Sequence, residues 1–360
     1  MRLPAIDALR GWTVVAMLVV NNPGDWNAVY APLLHAHWHG CTPTDLIFPL
    51  FLFLVGVGLA LAAPVDGDAP TLRAAQGQML QRGLKLIALG LVLHLIAHWA
   101  LDTRSFRPAG VLQRIGLCVA LVGVFSLTTA GRSARGLVMA ICAVMGVHSL
   151  LLVMGGSLSH EARFHHWAAT LDTWAFGAHS YEWQATLQRG LDPEGLLSSL
   201  GAVVSTGLGL MAGRVLREFG MPAALPRLLK QASLLLLLGG LSSLLAPMNK
   251  TLWTPSYAMW TAGLANVALC GALALQSLAP QALWGQRFGR HAITAYVLAW
   301  LGVCVLGATG WQVPLWAALQ QALGPGWPAP AVSLVWALSF LPLWWAVLRL
   351  MDARGWRWRV

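Results

Sequence analysis

The segment His35-Ala36-His37-Trp38-His39-Gly40 places three histidines at i, i+2 and i+4, with Asp45 a short distance on. Imidazole titrates near neutrality, so such a side chain can take a proton from an attacking group or accept an acyl group itself. On an extended segment all three rings share a face, whereas on a helix only His35 and His39 do. Three readings stay open: a metal site, polar loop residues at a membrane boundary, and a general base or nucleophile. No set of carboxylates stands nearby to complete a coordination sphere, so no metal is expected.

Other candidates are scattered along the chain. Asp45 opens one apolar run and Arg114 stands a turn or so inside another, at similar expected depth. An unpaired charge in hydrocarbon costs several kcal/mol, so the two are expected to pair. Asn21 and Asn22 close the first apolar run, where an amide either caps a helix or orients a substrate group. Asp192-Pro193-Glu194-Gly195 reads as ordinary helix-start chemistry, with proline and acids in the first turn. Glu194, at the mouth of its run, is also a candidate to hold a cationic amine. In Asn249-Lys250-Thr251-Leu252-Trp253-Thr254-Pro255-Ser256-Tyr257, Lys250 is a candidate substrate ligand. Trp253 and Tyr257 read equally as interface anchors.

The elements that must position these groups belong to a membrane. Of 360 residues, 57% are hydrophobic and 10% charged, and mean hydropathy is +0.64. Soluble domains carry roughly 25% charge. Composition therefore excludes a soluble globular domain, and disordered and nucleic-acid-binding chains as well. Five cysteines without a CxxC pair imply neither a disulfide framework nor a redox motif; Cys41 alone falls in a loop. Ten apolar segments are long enough for a bilayer of ~30 Å, at about 8–21, 44–63, 83–101, 109–129, 135–155, 194–212, 229–247, 252–279, 288–309 and 330–350. The first has no small-residue cleavage site behind it and reads as a retained span. An apolar stretch at 312–323 is too short to span and reads as interfacial.

Basic residues test the alternation. With the N-terminus cytoplasmic, 17 of the 23 Lys and Arg fall on the inner side and five on the outer, with Arg114 inside a span. The bias predicts an all-α integral membrane protein of about ten transmembrane helices, with both termini cytoplasmic, forming a single domain over 1–360. The outer side then holds a loop at 22–43 containing His35 and a long loop at 156–193 containing His160, His165, His166, Asp172, His179 and Glu182. The halves show no internal repeat, which argues against an inverted-repeat transporter. The tail Arg354-Gly-Trp-Arg357-Trp-Arg359 suits an anionic inner leaflet.

Read together, several motifs resemble the heparan-α-glucosaminide N-acetyltransferase family, whose bacterial relatives are often labelled transmembrane acyltransferases or amino-sugar-related transporters. They are Arg2-Leu3, Ile6-Asp7, Arg10-Gly11 and Asn21-Asn22-Pro23-Gly24. His35-Ala36-x-Trp38-x-Gly40-x-Thr42-x-x-Asp45-Leu46-x-Phe48-Pro49-x-Phe51-x-Phe53-x-x-Gly56 follows as the long, specific block. Gly110-Val-Leu-Gln-Arg114-Ile-Gly116, Asp192-Pro-Glu-Gly-Leu-Leu197 and Pro247-x-Asn249-Lys250-x-Leu-Trp253-Thr254-x-Ser-Tyr257 follow in the same order. His37 and His39 depart from the small or amide residues usual there. His291 stands where an asparagine is common.

The resemblance implies a multi-pass enzyme of the bacterial inner membrane. It would take acetyl-CoA from the cytosol and acetylate the amine of a glucosamine-type sugar on the opposite face, in the family's suggested dimeric state. It assigns His35 as the active histidine and Asn21 as the preceding asparagine. On this reading Arg10 and Arg290 are candidates for the CoA phosphates, and Glu194 or Asp172 for the acceptor. The rival expectations are an amino-sugar transporter and an O-acyltransferase acting on a cell-envelope glycan.

Overall fold

The structure, a computed structural model, describes residues 3–64, 68–101, 104–159, 163–356 and 358. Arg2, His160, Arg357 and Arg359, all singled out above, lie outside these. The described chain is nearly all helix: α1 (Pro4–Val20), α2 (Ile47–Ala62), α3 (Ala69–Ala100), α4 (Val111–Ser126), α5 (Thr129–Arg132), α6 (Ala134–Met154), α7 (Trp167–Phe176), α8 (Ser198–Ser242), α9 (Pro255–Leu278), α10 (Gln286–Arg290), α11 (Ala292–Ala308), α12 (Gln312–Leu323) and α13 (Ala329–Ala353). A two-stranded antiparallel hairpin, β1 (Glu182–Gln184) and β2 (Arg189–Leu191), stands between α7 and α8.

Among the described residues, six helices are long and apolar enough to cross a membrane, or seven if the α11–α12 pair is one span. The chain is a multi-pass membrane protein. Ten apolar segments were expected, and each overlaps a helix, but the length test groups them differently. α1 and α4 have 17 and 16 residues, about 25 Å each at 1.5 Å per residue. The two segments at 194–212 and 229–247 fall on two helical stretches of α8, separated by a kink at Gly220 (φ 69°), a conformation glycine adopts without a Cβ penalty. Pro222 and Pro226 follow the break and remove backbone donors there. The 312–323 stretch is α12, turned 96° from α11 after Gly310 (φ 71°).

Glycine contacts pack the centre. A Cβ on Gly56 of α2 would fall onto the Thr206 carbonyl of α8, and one on Gly209 of α8 onto the Phe53 carbonyl of α2. The two backbones therefore touch, as small residues permit in membranes. Leu52, Phe53, Val57, Leu210 and Leu216 fill the core around this crossing.

Side-chain bonds gather the helix ends into two groups. At one end Arg214 donates to the Gly131 carbonyl (2.6 Å), Arg217 to the Ala60 carbonyl (3.0 Å), and Arg287, Arg290 and His291 converge on Asp352. Guanidiniums here satisfy carbonyls at helix C-termini, which the helix dipole favours. At the other end Gly40 bonds to Met248, His39 to Leu158, His179 to Phe106 and Asp25 to Ser333. We call these the basic end and the His35 end.

Candidate active site

The start of α2 builds the centre of the site. Thr42-Pro43-Thr44-Asp45 forms a tight turn in which Asp45 reaches back to the Thr42 amide (3.0 Å), as the third residue of a helix start can. The same oxygen, Oδ2, accepts from the Ala36 amide (3.1 Å), and the Thr42 hydroxyl donates to the Leu34 carbonyl (2.7 Å) with Oδ2 3.0 Å away. Oδ1 is left to face His35, whose Nδ1 lies 2.7 Å away. A carboxylate only accepts, so Nδ1 carries the proton and Nε2 is the basic nitrogen. Asp45 is wholly buried, while the His35 side chain is 48% exposed. The ring is thus held from behind and open in front.

Lys250 Nζ stands 2.9 Å from His35 Nε2 and 3.1 Å from Nδ1. An ammonium in line with the Nε2 lone pair would be much farther from Nδ1. Near-equidistance therefore places Nζ against the Cε1 side or face of the ring, off the lone-pair axis. Burial lowers the Lys250 pKa, and the Glu194 and Asp45 carboxylates oppose that shift.

A cavity of about 80 Å³ opens beside the ring. Asn21, His35, Glu194 and Lys250 supply polar groups to its wall. Thr13, Met17, Phe48, Phe51, Ile115, Ile293 and Tyr296 supply most of the rest. Asn21 reaches it from the C-terminal cap of α1. Glu194 is presented by a turn held on two sides. Arg107 pairs with both Asp192 and Glu194, and Asp172 accepts the Asp192 and Leu196 amides, each at 3.0 Å. Burial alone would raise the Glu194 pKa, but the Arg107 and Arg114 charges hold it below its ordinary value. Burial pushes the Asp172 carboxyl up to about 7.

Four of the residues expected at the site therefore meet on one cavity: Asn21, His35, Glu194 and Lys250. Others sit elsewhere. Asp45 and Arg114 do not pair. The Asp45 oxygens are filled by donors from its own loop and His35, and Arg114 instead donates to Ser198 Oγ (2.5 Å) and the Gly195 carbonyl (3.1 Å) at the start of α8. Neither lines the cavity; nor do Asp172, Trp253, Arg10 and Arg290. Asp172 lies under the Glu194 turn. Arg10 and Arg290 stand at the basic end, bonded to Asp7 (3.4 Å) and Asp352 (2.7 Å).

Trp253 and Tyr257 are buried inside the bundle, not anchored at the interface. Trp253 takes φ +52°, a left-handed conformation costly for a non-glycine residue. It is held by Nε1 donating to Ser205 Oγ (2.9 Å) and by edge-on packing with Phe48 and Tyr257. Tyr257 Oη donates to the Asp45 backbone carbonyl (2.5 Å). Both support the α2 start from behind, and Phe48 carries that support to the cavity wall.

Sequence reading missed Arg107, which counted only as one of five outer cations. Its partners lie 85 and 87 positions on, so no linear motif could expose it. The signal available was a loop cation facing two acids spaced i, i+2.

Comparison with known proteins bears on this arrangement. The family model described as "Heparan-alpha-glucosaminide N-acetyltransferase, catalytic" matches residues 2–169, which include α1, the His35 loop and α4. The chain is 25% identical over 312 residues to the mouse protein named heparan-alpha-glucosaminide N-acetyltransferase, and 26% identical over 310 residues to the human one. Each match covers 71% of this chain and 46% of the relative, so the chain spans about half the length of the curated relatives it matches. From its first helix through the His35 loop, the chain is similar to the heparan-alpha-glucosaminide N-acetyltransferase family.

Proposed function

We propose that the protein is a transmembrane acetyltransferase of the bacterial inner membrane, moving an acetyl group from cytosolic acetyl-CoA to the amine of a glucosamine-type sugar at the His35 end. The observation that carries this reading is the Asp45–His35 pair, a buried carboxylate fixing the imidazole tautomer with Nε2 turned to a cavity that also holds Asn21, Glu194 and Lys250. The reading includes ten spans with both termini on the cytosolic side. Contacts that gather residues 5, 60, 131, 214, 217, 276, 287 and 352 at one end support it.

In this scheme the neutral acceptor amine attacks the thioester carbonyl. The new C–N bond forms, the C–S bond breaks, and CoA leaves as its thiol. His35 Nε2 takes the amine proton as the bond forms and returns it to the leaving sulfur. Asp45 keeps the proton on Nδ1 throughout and stabilises the imidazolium. The Asn21 amide and the Lys250 ammonium supply donors where the carbonyl oxygen becomes negative. Glu194 accepts hydrogen bonds from the sugar, and the apolar wall excludes water that would hydrolyse the thioester.

The test is incubation of purified protein with labelled acetyl-CoA and glucosamine, following CoA release and N-acetylated product. Wild type releases CoA only with an amine present, and His35→Ala releases none while retaining its thermal transition. Full turnover by His35→Ala, or sugar uptake into proteoliposomes without CoA release from any acceptor, overturns the proposal.

A further inference from the structure

The helix α7 presents an apolar face that nothing else in the described chain covers. Trp167, Leu171 and Trp174 recur at i, i+4 and i+7, so they share one side. They are 42%, 39% and 82% exposed. The opposite side is buried through Ala168, Ala169 and Asp172. A short amphipathic helix with tryptophans on its open face fits the boundary between headgroups and acyl chains.

What covers that face follows from where the helix begins. α6 is one of the membrane-crossing helices, 21 residues long with most of its surface outward. Val147, Leu150, Val153 and Met154, on its last two turns, are all exposed apolar residues. The Trp167 amide donates to the Gly155 carbonyl, the first residue past α6, at 3.2 Å, and a Cβ on Gly155 would meet the Trp167 side chain at 2.7 Å. The start of α7 is therefore pinned to the end of a span, at the depth where hydrocarbon gives way to headgroups. Its open face continues the lipid-facing surface of α6.

We infer that α7 lies in the bilayer interface at the His35 end, with Trp167, Leu171 and Trp174 buried among the lipids of that leaflet. The occupant of the face is the phospholipid surface, not a second copy of the chain or bulk water. The inference has a consequence for the cavity. Asp172, on the inward side of the same helix, holds the Asp192 and Leu196 amides that flank Glu194. The turn that presents Glu194 thus rests on an element floating in the membrane surface.

Nitroxide accessibility tests this in the full chain, reconstituted in phosphatidylcholine–phosphatidylglycerol nanodiscs. Cys142, exposed on α6, is replaced by alanine. The remaining thiols need no change, because Cys118, Cys270 and Cys304 are buried and burial pushes the Cys41 thiol up to about 12, out of reach of thiolate-selective labels. Spin labels are placed by Trp174→Cys and, separately, Leu171→Cys, with Gln184→Cys in the hairpin as the aqueous reference. Labels at 171 and 174 should collide with oxygen at least several-fold more, relative to a water-soluble nickel chelate, than the label at 184. Equal nickel access at 174 and 184 would overturn the inference. So would strong spin–spin broadening at 174 that vanishes on dilution with unlabelled protein, since it would put a second copy on the face.

Discussion

Replacing Asp45 by asparagine should separate activity from stability. In the native turn, Oδ2 accepts from the Ala36 and Thr42 amides, while Oδ1 accepts from His35; the Thr42 hydroxyl, 3.0 Å from Oδ2, lies closer to the Leu34 carbonyl at 2.7 Å. An asparagine side chain keeps one acceptor oxygen. Two amide donors outweigh one, so that oxygen takes the Oδ2 position and the amide NH2 faces His35. Two donors cannot face each other at 2.7 Å, and the imidazole must move its proton to Nε2 so that Nδ1 can accept. These hydrogen bonds survive, and only their charge assistance is lost, so the fold should weaken by about 1–2 kcal/mol. Catalysis should suffer far more, because Nε2 no longer has a lone pair in the cavity. A tautomer reversal of this kind behind a catalytic imidazole costs about 10⁴ in turnover, so a loss of ~10³–10⁴-fold in CoA release is expected, with the unfolding transition nearly in place. Turnover within a few-fold of wild type would refute the tautomer argument. A large activity loss that merely tracks lost folded protein would refute it as well.

The turn under the cavity makes a paired prediction in pH. Burial raises Asp172 from 3.8 to about 7 and lowers His166 from 6.5 to about 4. The Asp172 contribution is therefore fully present below pH 4 and lost as pH rises through 7, whereas that of His166 is fully present above 6.5 and lost as pH falls through 4. Each shift of roughly three units corresponds to about 3–4 kcal/mol, and the two slopes oppose one another. Asp172→Asn should thus gain stability relative to wild type as pH rises from 4 to 7, and His166→Gln the reverse, both read from melting temperatures across that range; parallel curves for the two variants would rule this out. Among the glycines, Gly209→Ala should lower folded yield in detergent, because its Cβ lands on the Phe53 carbonyl. Gly240→Ala, whose Cβ has its nearest neighbour at 3.9 Å, should be neutral by size-exclusion profile. Equal yields would mean that α2 and α8 do not depend on close backbone approach.

The sequence was most legible where physics is local. Among the described residues, each helix long and apolar enough to cross a membrane overlaps an apolar run read from the sequence, because a bilayer demands about 20 such residues whatever their order. The break in 194–247 was legible too, because Arg214, Arg217, Gly220, Pro222, Pro226 and Arg227 interrupt the apolar run where the helix kinks. Asn21, Glu194 and Lys250 were visible as polar groups at the ends of apolar runs and His35 through the histidine pattern of its loop, and the structure brings them to one cavity. Pairing was not visible. Asp45 and Arg114 looked like natural partners by depth, yet Asp45 faces its own loop, because a helix-start carboxylate meets the amides of that turn before any distant cation. Trp253 and Tyr257 read as interface anchors because position along a span says nothing about which way a ring points.

The depth of the cavity bears on how a donor could reach His35. Along α1 the wall runs from Thr13 to Asn21, eight residues or about 12 Å, whereas the hydrocarbon layer is ~30 Å thick. Below Thr13, α1 lies in backbone contact with α10 and the residues before it. A Cβ on Gly11 would fall onto the Gly285 carbonyl, one on Gly289 onto the Asp7 carbonyl, and Trp12 packs on Trp284 with ring centroids 6.0 Å apart. On the proposed function, a cytosolic thioester approaching along α1 has to pass the α1–α10 contact or displace it. The groups around that contact are suited to being displaced by an anion. Asp352 holds Arg287 (3.0 Å), Arg290 (2.7 Å) and His291 (2.9 Å) at once, and a phosphate offers the same acceptors with more charge. On the proposed function, exchange of Asp352 for a CoA phosphate at these two arginines would free α10 from α13 and loosen the seal on α1. The residues that close the basic end in this conformation would then be the ones that a bound donor opens.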